Sequence, residues 1–175
     1  NLLMDFYALC NTAGGRLFEE SLTGRVVDHE VGAQVLDDMR RLASMCDRRI
    51  FGWDPIAVHE YLASHDDFSY CPSAYGYSNY SRPGYARCIL KAGDLVSYQG
   101  SMLTGVLGGT GLAISSATKH PLLAASFASY VASSEVQKTI YFDAGGQPGH
   151  RSAWIDEECN RRSLNFFADT LTSLD

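Results

Sequence analysis

The residues of this chain with the most chemical capacity are its five histidines, five cysteines, ten tyrosines and a cluster of glycines. His29-Glu30 and His59-Glu60 each open like the zinc motif H-E-x-x-H. The fifth positions are Ala33 and Ala63, so neither places a second imidazole one helical turn on. The cysteines, Cys10, Cys46, Cys71, Cys88 and Cys159, form no C-x-x-C pair. They read as scattered buried thiols, with a Cys71–Cys88 disulfide across a hairpin as the sharper alternative. The cluster Gly105-x-x-Gly108-Gly109-Thr110-Gly111 has no Lys-Ser or Lys-Thr at phosphate-loop spacing and does not satisfy G-x-G-x-x-G. Its glycines read instead as places where backbone approaches a ligand or a neighbouring strand. There is no G-x-S-x-G elbow. Asp37-Asp38 and His65-Asp66-Asp67 read as solvated charge. No catalytic residue, metal site or cofactor is expected.

The segment from Tyr70 to Arg82, Tyr-Cys-Pro-Ser-Ala-Tyr-Gly-Tyr-Ser-Asn-Tyr-Ser-Arg, is different. It sets aromatic rings among Gly, Pro, Ser and Asn, where a core would use aliphatics and a plain turn would use few rings. A tyrosine offers a flat apolar face and a hydroxyl, which suits a polar ligand with an apolar face, such as a sugar. The competing reading is a tyrosine-rich loop packed on its own neighbours.

The elements that must position this loop follow from periodicity. With 175 residues, 46% of them hydrophobic and 19% charged, the chain has the length of one domain or two small ones and can bury a core. A formal net charge of −6 without any basic run argues against nucleic-acid binding. A helix is expected over residues 2–11, stopped by Gly14-Gly15. An amphipathic helix carries Val31, Val35, Leu36, Met39, Leu42 and Cys46 behind an Asp28 cap. Asp54-Pro55 opens a helix to about residue 63, Pro121 opens another, and Ser134-x-x-Gln137 reads as a capping box that ends at Gly145-Gly146. The last periodic segment carries Leu164, Phe167, Leu171 and Leu174. Strands are expected at 68–71 and 85–90, with two short ones within 103–115. The charge-free run 95–118 holds five glycines, so it reads as loop, buried strand and loop, and not as a membrane helix. Helices alternating with strands define an α/β class. Asn1 opens directly into an apolar stretch with no signal peptide, as a fragment of a longer protein would.

Three stretches together resemble the solute-binding proteins of bacterial ABC importers, in the sugar-binding family that includes maltose-binding protein. They are Tyr70 to Tyr80; Leu107-Gly108-Gly109-Thr110-Gly111-Leu112-Ala113-Ile114-Ser115 with Lys119-His120-Pro121 and the helix to Val131; and Ser133-Ser134-Glu135-Val136-Gln137 running to Gly145-Gly146-Gln147-Pro148-Gly149. The resemblance implies an α/β, periplasmic-binding-protein-like type II fold, present only as the C-terminal portion of a two-lobe fold. Residues 1–104 would belong to the second lobe, 105–150 would cross to the first, and 151–175 would return as a C-terminal segment. It places Tyr75 at the position of a sugar-stacking aromatic, followed by Tyr77, Asn79 and Tyr80. Gly108 and Gly109 fall on the crossing strand, and Gln147, His150 and Arg151 follow the second glycine turn. It implies capture of a small polar solute, most simply a sugar, and delivery to a membrane permease on the periplasmic or extracellular face of a bacterial cell. No cofactor is implied, since other subunits hydrolyse ATP. A partial fold leaves apolar surface uncovered, so a homodimer or swapped oligomer is expected. The alternatives are a hydrolase or transferase with a Cys or Ser nucleophile, and a module that only contacts other proteins.

Overall fold

A computed structural model of the chain describes residues 2–18 and 24–175. They form two compact units. The first comprises residues up to Leu62 with Asp66–Ala74 and Leu95–Leu107; the second comprises Ala63–His65, Tyr75–Asp94 and Gly108–Asp175.

In the first unit α1 (Leu2–Thr12) packs on α2 (His29–Met45). The expected Gly-Gly stop works through backbone geometry. Gly14 takes a positive φ of 81°, which lets its N–H reach Asn11 C=O at 3.1 Å and the Gly15 N–H reach Cys10 C=O at 2.8 Å. Asp28 caps α2 as expected, its Oδ1 accepting from the Glu30 and Val31 N–H groups at 2.9 and 3.4 Å. Val35 and Cys10 are buried, but Leu36 and Leu42 on the expected apolar face of α2 are exposed. A hairpin of β1 (Ser97–Tyr98) and β2 (Ser101–Met102) pairs Ser97 with Met102 and Tyr98 with Ser101. Gln99 and Gly100, at φ 51° and 86°, supply the left-handed turn such a tight hairpin requires. Tyr98 Oη donates to Asp38 Oδ2 at 2.7 Å, so Asp38 anchors the hairpin to α2 and is not merely solvated charge. α3 (Pro55–Ser64) starts where Asp54 Oδ1 accepts from the Ala57 N–H at 2.7 Å.

The second unit is built from short helices: α4 (Pro121–Ala132), α5 (Ser134–Lys138), α6 (Ile140–Asp143), α7 (Arg151–Trp154), α8 (Glu157–Arg161), α9 (Phe166–Asp169) and α10 (Leu171–Leu174). Its core is Phe142, Ala153, Cys159, Phe166 and Phe167, backed by Trp154 and Ala92. Trp154 and Phe166 meet the Phe167 ring edge to face at 5.2 and 5.3 Å, the arrangement aromatic quadrupoles favour. Helices this short leave many backbone groups unpaired, and side-chain amides take them up. Gln137 accepts from the Gly149 N–H at 2.7 Å and donates to Val131 C=O at 2.8 Å. Asn160 donates to Trp154 C=O at 2.8 Å and accepts from the Ala168 N–H at 2.8 Å.

Several expectations are corrected. Residues 68–71, 85–90 and 103–115 form no strand, and β1 and β2 are the only strands among the described residues. A strand needs a neighbour to accept its backbone bonds. Residues 85–90 instead find partners in turns and helix ends: Tyr85 N–H to Arg82 C=O, Cys88 N–H to Ala63 C=O and Leu90 N–H to Tyr80 C=O. Beyond β2 the glycine run has no regular structure and is exposed, Leu107 by 79%, so no buried strand forms there. The cap of α5 is Ser133, whose Oγ accepts from the Val136 N–H at 3.5 Å, while Ser134 Oγ lies 2.6 Å from Ser152 Oγ. The C-terminal periodic segment breaks into α9 and α10 at Thr170. All five cysteines are free thiols. No helix among the described residues is long and apolar enough to cross a membrane.

Candidate functional site

Six of the nine residues singled out for ligand binding gather around one loop, all within the second unit. The loop runs from Tyr75 into a 3-10 turn, Ser78–Ser81, and two contacts fix it. The first is the Gln147 amide, presented just after the Gly145-Gly146 turn. Its Oε1 accepts from the Ser78 N–H at 2.7 Å, and its Nε2 donates to Gly76 C=O at 3.2 Å. The second is packing: a Cβ on Gly76 would come within 2.9 Å of Phe166 Cζ, so only a glycine lets the loop lie on that buried ring.

Tyr75 and Tyr77 leave the loop with 39% of their surface exposed. The Tyr75 ring lies against the Gly108 backbone, where a Cβ would stand 3.2 Å from Tyr75 Cε1. What approaches Gly108 is thus a neighbouring side chain, where the sequence pointed to a ligand or a strand. Gly109 has open space where a Cβ would stand.

Tyr80 is placed differently from the expectation. It is 3% exposed and meets Tyr85 edge to face at 5.1 Å, which makes it a packing residue. Burial gives the loop an apolar anchor, because the 3-10 turn directs successive side chains around its axis, some inward. Beside it Ser78 Oγ and Asn79 Oδ1 are buried without a hydrogen-bond partner among the described residues. The His150 Nδ1 accepts from the Ser152 N–H at 3.2 Å and lies 2.8 Å from Ser152 Oγ, so the ring caps the start of α7. Arg151 pairs with Asp175.

The chemistry open to this arrangement is stacking and hydrogen bonding. Burial pushes the Cys10 and Cys159 thiols up, Cys159 to about 11, and desolvation likewise raises Cys71. A nucleophilic cysteine needs the opposite shift. No group of three or more His, Cys, Asp or Glu side chains suited to a metal ion occurs among the described residues. Phe166, which supports the loop from beneath, was not visible as a site residue in the sequence. Its only signal was the glycine at position 76. Searched against protein families, curated proteins and solved structures, the chain matches none.

Proposed function

We propose that this chain belongs to the substrate-binding component of a bacterial ABC importer, and that the Tyr75–Tyr77 loop takes a small polar solute, a sugar. The observation that carries the reading is a pair of half-exposed tyrosines on a loop that is pinned at both Gly76 and Ser78 by one amide. A ring held in place before binding loses little entropy when it stacks on a ligand. Sugar rings present apolar C–H faces to aromatics and hydroxyls to their polar neighbours. The partial type II fold, delivery to a permease and a periplasmic or extracellular setting rest on the sequence resemblance. Upward-shifted thiols weigh against Cys10, Cys71 and Cys159 as the nucleophile of the enzyme alternative.

The test is a thermal-shift and calorimetric titration of the chain against a panel of mono- and disaccharides. Saturation at 100 times Kd adds about 2.7 kcal/mol to stability. Tyr75 is 39% exposed, and covering that part of the ring contributes about 1–2 kcal/mol at roughly 25 cal/mol per Å². Tyr75→Ala therefore weakens binding roughly five- to thirtyfold. A panel without any saturable shift, or a shift that the Tyr75→Ala and Tyr77→Ala variants leave unchanged, refutes the assignment.

A further inference from the structure

We propose that the concave surface formed by Arg82, Arg161 and Arg162 is an oxyanion site that takes a phosphate group, separate from the exposed Tyr75 and Tyr77 rings. The hollow measures about 330 Å³ and is lined by these three arginines with Pro83 and Phe142. It is large enough for a phosphate or a small phosphate ester.

The charge count is the first argument. Arg161 forms a fork on Glu158, with Nε to Oε2 at 2.8 Å and Nη2 to Oε1 at 2.6 Å. Arg162 Nη1 donates to Asp143 Oδ1 at 2.6 Å. Arg82 bonds no carboxylate among the described residues, and Asp143 reaches it only through longer-range attraction. Its Nη1 and Nη2 donate to Phe142 C=O at 2.7 Å and Gly146 C=O at 3.0 Å, and its buried Nε has no acceptor among the described residues. Three guanidiniums thus face two carboxylates, and the unbalanced charge is the partly buried one. A charge withdrawn from water without a counter-ion is costly.

Placement is the second argument. The Arg82 and Arg162 Cζ atoms lie 3.9 and 4.9 Å from the centroid of the same Phe142 ring. Two like charges are thereby held at one ring, and burial and the Arg162 charge together pull the Arg82 pKa down. An anion in the hollow relieves both effects. Arg161 Nη1 and Arg162 Nη2 have no acceptor among the described residues, so donors remain for it. A carboxylate fills one guanidinium fork, whereas a tetrahedral phosphate offers oxygens in several directions and matches a converging set.

The experiment titrates inorganic phosphate into the chain by calorimetry and thermal shift, with sodium chloride holding ionic strength constant and acetate as the carboxylate control. Arg82 also pins the end of α6, so the variants are Arg161→Gln and Arg162→Gln, whose folding is checked by circular dichroism. The expected result is a saturable phosphate-dependent rise in Tm, at least tenfold weaker binding in the double variant, and partial recovery in Arg162→Lys. A parallel arm with glycerol phosphate separates the sources: tighter binding assigns a phosphate ester, equal binding assigns free phosphate. No shift beyond chloride, an equal shift with acetate, or a shift that survives the double variant overturns the proposal.

Discussion

Replacing Gln147 by leucine removes both ends of the amide that fixes the tyrosine loop. Ser78 is 1% exposed, so its N–H, now 2.7 Å from Gln147 Oε1, is left without an acceptor and out of reach of water. An unpaired buried donor costs about 1–3 kcal/mol. The longer bond to Gly76 C=O, at 3.2 Å and more exposed, contributes about 0.5–1.5 kcal/mol. The sum, near 3 kcal/mol, corresponds to a fall in Tm of about 6–12 °C at roughly 2–4 °C per kcal/mol. Gln147→Glu keeps an acceptor for Ser78 but sets a carboxylate oxygen against Gly76 C=O, so it melts between the parent and Gln147→Leu. The assay is differential scanning fluorimetry, with sugar titrations repeated well below each variant's Tm. At that temperature Gln147→Leu still binds more weakly, because the loop is no longer held in place. If both variants melt within 1 °C of the parent, the amide does not fix the loop and the reasoning fails.

Two further outcomes follow from the electrostatics. The Cys159 backbone N–H, with Lys138 assisting, holds the Asp156 carboxyl below the usual carboxylate range. Its stabilisation is complete at neutral pH, above the unfolded pKa of about 3.9, and is lost as pH falls through the lower native value. Asn retains the cap without the charge, so the Tm gap between the parent and Asp156→Asn narrows on titration from pH 7 to pH 3; a gap that stays constant contradicts the assignment. Thiol labelling at pH 8 modifies the exposed Cys88 first, while Cys159, whose pKa burial raises to about 11, and the fully buried Cys10 react only after denaturant is added. Native-state labelling of Cys159 at the rate of Cys88 is the contrary result.

Local structure was legible in the sequence wherever its cause is local. Asp28 and Asp54 cap because a carboxylate reaches an N–H two or three residues on. Gly14 and Gly145 end helices because their backbones take φ of 81° and 91°. Tyr75 and Tyr77 stood out because rings among turn residues are chemically unusual, and both are exposed on the structure. What the sequence could not determine depends on partners far along the chain. A strand exists only if another strand accepts its bonds, and 68–71, 85–90 and 103–115 have none, whereas Ser97–Tyr98 and Ser101–Met102 have each other. Tyr75, Tyr77 and Tyr80 are alike in sequence. Packing against Tyr85 buries the last, and only the fold distinguishes it. Gln147 is 69 residues from Ser78, and no spacing rule connects them; the Gly145-Gly146 turn that presents the amide is local, but what it meets is decided by the core of Phe142, Phe166 and Phe167. The same core collects Arg82 and Arg162 at one ring although their sequence neighbourhoods are unrelated. Side-chain type and short-range backbone preference belong to the sequence alone, while burial and pairing belong to the tertiary structure, because each depends on which distant atoms displace water.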